Sequence, residues 1–356
     1  MRLRWLVLAA LLALAGCESL SYYAQAIEGQ LQMMHRAQPV AEWISNPATP
    51  PALRERLELA RRIRDFASRE LALPDNGSYR SYADLGRPYA VWNVFAAPEF
   101  SVKPVQSCFL VAGCVAYRGF FARDDAERYG AKMRKKGLDV FVYGVPAYST
   151  LGWFDDPLLS TFIEYPDWEL ARLIFHELAH QLVYVKGDTT FNESFAVTVQ
   201  DVGVGRWLES QKRESEIATY RKAETRYGEF VHLIENARAR LARLYAEPLQ
   251  PPAMRAAKRA EFRRLEDRYA ALKARWGGYP GYDYLMAKPN NALLASISAY
   301  SRLVPAFRHE LAAVHGKLPA FYARVRALAR LPKAKRDAVL NADLAAQTGA
   351  RRAAAR

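Results

Sequence analysis

Residues 167–205 read DWELARLIFHELAHQLVYVKGDTTFNESFAVTVQDVGVG, and their reading decides the fold. They hold the H-E-x-x-H pattern as His176-Glu177-Leu178-Ala179-His180. In an α-helix each residue turns about 100° and rises about 1.5 Å, so residues four apart stand almost one above the other. His176 and His180 can therefore share one metal ion. Leu170, Ile174, Phe175, Leu178, Ala179 and Leu182 recur at helical spacing and make a buried face around the pair. Imidazoles and a carboxylate set in such a face are costly unless paired or bound to metal.

A catalytic zinc site takes three protein ligands and keeps one open position. The two histidines supply two ligands, and Glu177 is placed to act as general base on a water in the open position. The third ligand is expected from Glu193, with twelve residues between it and His180. The first helix is predicted to run through Val185, with Lys186 in its last turn and Gly187 as the stop. Asp188, Thr189, Thr190 and Asn192 can each cap a second helix. From the turn, the first helix measures about 8 to 9 Å back to His180 and the return helix about 5 to 6 Å to Glu193, so antiparallel packing brings the carboxylate to the depth of the rings.

HELAH followed by NESFA resembles the gluzincin metallopeptidases, and AYSTLGWFDDP upstream resembles a bacterial family of predicted aminopeptidase lipoproteins. The resemblance implies one zinc ion held by His176, His180 and Glu193, Glu177 as base, and peptide substrates cleaved at the N-terminus. The His180 to Glu193 spacing is shorter than in thermolysin-like gluzincins, so the turn must be tight. In gluzincins an edge strand before the metal helix pairs with substrate, and Ala147 and Tyr148 match its small-then-aromatic character; an ordinary packed loop is the other reading. Trp153, Phe154, Asp155 and Asp156 are candidates for a lid or pocket wall, and Glu164, Asp155 and Asp156 for binding a substrate amine. Tyr300, Tyr284 and His309 are candidates to stabilise the oxyanion, with Tyr300 preferred.

The N-terminus reads as a targeting segment. Arg2 and Arg4 precede an apolar run from Trp5 to Ala15 that ends in Leu14-Ala15-Gly16-Cys17, the pattern of a lipobox with Cys17 lipidated. Glu18 rather than Asp after the cysteine points to the periplasmic face of the outer membrane. In that oxidising compartment Cys108 and Cys114, which bracket CFLVAGC, are expected to form a disulfide, with zinc binding by the pair as the rival. The formal charge of +14 sits largely in the C-terminal third. No basic and aromatic interleaving or known module accompanies it, so nucleic acid is not an expected partner, and a solvated surface leaning toward anionic lipid is.

The chain divides into a signal segment (1–16), an anchored helical segment (17–75), a core carrying the motif (76–210) and a helical remainder (211–356). In the core, Ala90 to Ala96, Val115 to Phe121 and Leu138 to Gly144 read as strands, with a helix from Arg123 to Gly137. This order predicts an α+β, mainly helical protein with a zincin-like core: a small sheet over the H-E-x-x-H helix, with added C-terminal helices. Residues 206–247 and 252–275 read as a helical pair, and one helix is expected through Tyr300, Phe307 and Leu311. An envelope scaffold with structural metal, and an endopeptidase, are the competing functions.

Overall fold

The computed structural model describes residues 22–109, 113–147 and 149–354. Cys17 and Tyr148 lie outside the described residues. Helix α1 (22–36) leads to strand β1 (Gln38–Pro39), helix α2 (Val40–Ser45) and helix α3 (Pro51–Arg69). Pro51 starts α3 because the first helical position has no partner for an N–H in any case. Leu57, Ala60, Ile63 and Ala67, three or four apart, turn one face of α3 into the main core.

The strands follow: β2 (Ser81–Ala83), β3 (Val91–Pro98), β4 (Ser107–Phe109), β5 (Gly113–Val115) and β6 (Tyr117–Phe120). Helix α4 (Arg123–Lys135), strand β7 (Leu138–Val145) and strand β8 (Leu158–Leu159) complete this half. The antiparallel sheet has the order β6-β3-β7, and β3 pairs with β7 along its whole length. Side chains alternate across it. Val94, Ala96 and Val140 face Ala126 and Met133 of α4, while Phe95, Ala97 and Tyr143 face the other way. β4 and β5 form a hairpin bridged by Cys108 and Cys114.

The helical half comprises α5 (Asp167–Leu182), α6 (Thr189–Ser210), α7 (Glu214–Leu244), α8 (Pro251–Arg275), α9 (Asp283–Met286), α10 (Asn291–Ser301), α11 (Val304–Ala312), α12 (Leu318–Ala329) and α13 (Lys333–Ala354). The protein is thus α+β and mainly helical. α6 is the central helix: every residue from Phe191 to Gln200 is buried, as expected of a helix enclosed on all sides. α10 lies between the sheet and α6, packing on both. α7 and α8 form a hairpin with a separate core of Phe230, Ile234 and Leu241 against Leu265 and Leu272. No helix among the described residues is long and apolar enough to cross a membrane.

Three expected boundaries shift. The first motif helix ends at Leu182, not beyond Val185, because Asn192 captures the backbone of Val185. Its side-chain amide donates to the Val185 carbonyl (2.9 Å) and its oxygen accepts from the Val185 N–H (2.8 Å), leaving Val183 extended. The helix expected from residue 206 belongs to α6 as far as Ser210, and α7 starts only after Lys212 takes a positive φ. The helix expected through Tyr300 and Leu311 divides into α10 and α11, since Pro305 has no N–H for the carbonyl a turn before it.

The turn between α5 and α6 is held from two sides. Gly113 of the disulfide hairpin has φ +76°, and a Cβ there would stand 2.8 Å from the Gly187 backbone nitrogen, so only glycine lets the hairpin approach. On the other side Asp188 caps α6 through the Phe191 N–H and is paired with Arg336 of α13 at 2.7 Å and Lys333 at 3.1 Å. The Asp188 and Arg336 side chains are only 5% and 4% exposed. Removing one partner of a buried pair costs about 3–5 kcal/mol. With Lys333 still in place, Arg336→Ala should lose about 3 kcal/mol in chemical denaturation, the low end of that range. An effect under about 0.5 kcal/mol, the size of ordinary surface changes, would show that Arg336 does not hold the turn.

Candidate metal centre

α5 begins behind Pro166, with Asp167 and Glu169 in its first turn where the helix dipole favours acids. Arg56 (2.6 Å) and Arg213 (2.7 Å) hold Asp167. About two and a half and three and a half turns on, His176 and His180 face α6, and the Asn192 clamp sets the depth at which Glu193 meets them. The three donors converge: His176 Nε2 to His180 Nε2 is 3.2 Å, His176 Nε2 to Glu193 Oε2 is 3.3 Å, and His180 Nε2 to Glu193 Oε2 is 3.4 Å. Their side chains are 13%, 7% and 9% exposed.

These spacings fit a metal ion. Three ligands of a tetrahedral ion at about 2.0–2.1 Å stand about 3.3 Å apart, the edge of the tetrahedron. A charge-assisted imidazole and carboxylate bond would be shorter, about 2.7–2.9 Å. His176, His180 and Glu193 form a buried group that could hold such an ion. Burial opposes the Glu193 charge, but the two imidazoles outweigh it and bring its carboxyl down to about 2. Burial likewise opposes a charge on His180, and Glu193 reverses the balance and raises it.

Gln200, which the sequence reading missed, orients the first ring. Its Oε1 lies 2.9 Å from His176 Nδ1, so Nδ1 donates and Nε2 is left as the metal-facing lone pair. Gln200 sits seven residues after Glu193 on the same face of α6, a signal visible only once α6 is known to run antiparallel to α5. His180 Nδ1 has no hydrogen-bond partner among the described residues, so no contact like that of Gln200 holds the far side of the second ring. Gln200→Leu should therefore weaken metal affinity about 10–100-fold, measured by competition with a chelator. Unchanged affinity would mean that Gln200 does not orient the first ring.

Glu177 is half-buried beside the triad, with His176, His180 and Glu193 as its charged neighbours, and burial raises its carboxyl above the ordinary range. Tyr300 projects from α10 to stack on His176, with ring centroids 6.3 Å apart and planes 20° from parallel. Its hydroxyl is hydrogen-bonded to that of Tyr143. Burial first, and Glu193 next, keep the Tyr300 hydroxyl protonated far above neutrality. Tyr117 and Tyr184 also lie within electrostatic reach of Glu193, and with burial its charge keeps both phenols protonated. Tyr79 also escaped the sequence reading: it is buried at φ +62°, its hydroxyl has no partner among the described residues, and its charged neighbours include Glu177 and Asp156.

The other candidates separate. His309 lies toward Asp343 on α13 (3.7 Å), and Tyr284 is 72% exposed. Ala147 lies past the end of β7 with its methyl in the main core, so only its backbone is left to face a substrate. Asp156 is buried and organises its own loop, accepting from the Thr150 N–H at 3.0 Å and from Ser149 Oγ at 3.4 Å. Burial pushes its carboxyl up to about 6. Asp155 and Glu164 are exposed, as are Trp153 (71%) and Phe154 (49%) at the tip of the same loop.

A family model described as putative aminopeptidase matches residues 21–340. No curated protein and no solved structure matches the chain.

Proposed function

From the premise that this chain belongs to that aminopeptidase family, we propose that it is a zinc-dependent peptidase that removes residues from the N-terminus of peptides. The observation that carries the reading is the convergence of His176, His180 and Glu193 at 3.2–3.4 Å with Glu177 beside them. Bound there, zinc would supply Lewis acidity for the scissile carbonyl and lower the pKa of a water toward about 7. Glu177 takes the proton of the attacking water and returns it to the leaving amine, a role suited to a carboxyl raised by burial. Tyr300 stands beside His176 as a protonated phenol and donates to the oxygen on which negative charge develops. Lipidation at Cys17, and with it a place at the periplasmic face of the outer membrane, is part of the same proposal.

The test is hydrolysis by the purified full-length chain of short peptides with a free N-terminus, of the same peptides N-acetylated, and of longer quenched peptides. Free-amine substrates should be cleaved, chelator should stop cleavage and zinc should restore it. Equal cleavage of acetylated peptides would make the enzyme an endopeptidase. Retained metal with no turnover of any peptide would make it a scaffold.

A further inference from the structure

Arg172 stands one helical turn before His176, four residues back on the stripe that carries both histidines, about 6 Å along the axis. A guanidinium in such a place is normally neutralised, yet Arg172 makes no hydrogen bond or ion pair among the described residues, and its Nε is buried without a partner. Leaving a buried donor unmade is expensive, which favours a ligand that would satisfy it.

The nearest acids that the structure pairs are already taken by another arginine. Asp201 and Glu224 lie in electrostatic range, as does Glu169 one turn back on α5 by its shared effect on Tyr165, and the first two are occupied by Arg308, at 2.7 Å and 3.7 Å. Gln200, the residue that orients His176, also binds Asp201 at 3.2 Å, so this cluster adjoins the candidate metal centre. Burial, with the charge of Asp201 next, pushes the Glu224 carboxyl up to about 7. Tyr143, bonded to Tyr300, has Tyr284 in range; Tyr284 is in turn in range of Tyr165 and Tyr227, and both of these feel Arg172.

We infer that Arg172 is the anchor for a substrate carboxylate, and that the enzyme's substrates are short peptides whose free C-terminus binds this guanidinium. The inference rests on the aminopeptidase reading. A peptide advances about 3.3–3.6 Å per residue. One turn of α5 plus the backward lean of its side chains therefore spans about one or two residues beyond the cleaved bond, which means di- and tripeptides. A planar guanidinium suits a carboxylate through paired N–H donors, which a lysine cannot reproduce.

Calorimetry on the full-length E177Q chain, which should hold peptides without cleaving them, compares Leu-Gly-Gly with its C-terminal amide. The free acid should bind at least about tenfold tighter, as expected for a charge-assisted contact. Leu-Gly-Glu amide against Leu-Gly-Gln amide tests an acidic side chain as the source of the carboxylate, and no preference is expected there. Adding Arg172→Gln should erase the preference for the free acid by weakening the acid alone, and Arg172→Lys should restore part of it. The comparison of acid with amide needs no change at Arg172, so a variant that fails to fold does not blunt it. Equal affinity for acid and amide, a preference only for the Glu side chain, or no measurable binding of the free acid overturns the assignment. A preference for the free acid in a protein that cleaves nothing leaves the anchor standing and overturns the peptidase reading instead.

Discussion

Glu177→Gln should lower kcat about 10²–10⁴-fold, the usual contribution of a positioned general base, while metal content stays at the wild-type level. The substitution keeps the size of the side chain and removes its ability to take a proton. Glu177 is not one of the three converging donors, so metal binding has no reason to change. Burial raises its carboxyl, and a base with a raised pKa is closer to the pH at which it must work. Steady-state kinetics with metal analysis on the same preparation checks this. A fall in activity that tracks lost metal would make Glu177 a ligand or a structural acid, and unchanged kcat would remove it from the chemistry.

The second large effect is expected at Glu193. Glu193→Gln should abolish the rise in thermal stability that zinc gives the wild-type chain, and His176→Ala and His180→Ala should do the same. A ligand at about 1,000 times its Kd contributes about 4 kcal/mol to the folded state, so the lost increment is of that order. The carboxylate is the only negative charge among the three donors, and it lies within 3.4 Å of both rings. Thermal unfolding with and without added zinc measures the difference. An equal zinc response in wild type and Glu193→Gln would show that the metal sits elsewhere.

Much of the centre could be read from residues 167–205 because it is local. Helical periodicity puts His176 and His180 on one face, and short spacing with Asp188 as cap brings Glu193 back to them. What escaped depends on contacts distant in sequence. The early end of α5 is decided by the Asn192 side chain seven residues on, and local propensity around Val185 says nothing of it. Tyr300 was one of three candidate donors, and only the packing of α10 between sheet and α6 separates it from exposed Tyr284 and from His309. Gln200, Tyr79 and Arg172 have ordinary sequence surroundings; their meaning comes from an imidazole, a buried acid and a missing ion-pair partner that the fold alone decides. The charged composition after Gly205 hid the continuation of α6, because its last turns leave the core and carry polar residues.

Anomalous diffraction at the zinc absorption edge, from crystals of the full-length chain grown with zinc, addresses the centre most directly. The expected result is one peak within about 2.0–2.2 Å of His176 Nε2, His180 Nε2 and a Glu193 carboxylate oxygen, with a fourth position open to solvent. No peak there, or Glu193 turned away from an ion held by other residues, would contradict the account.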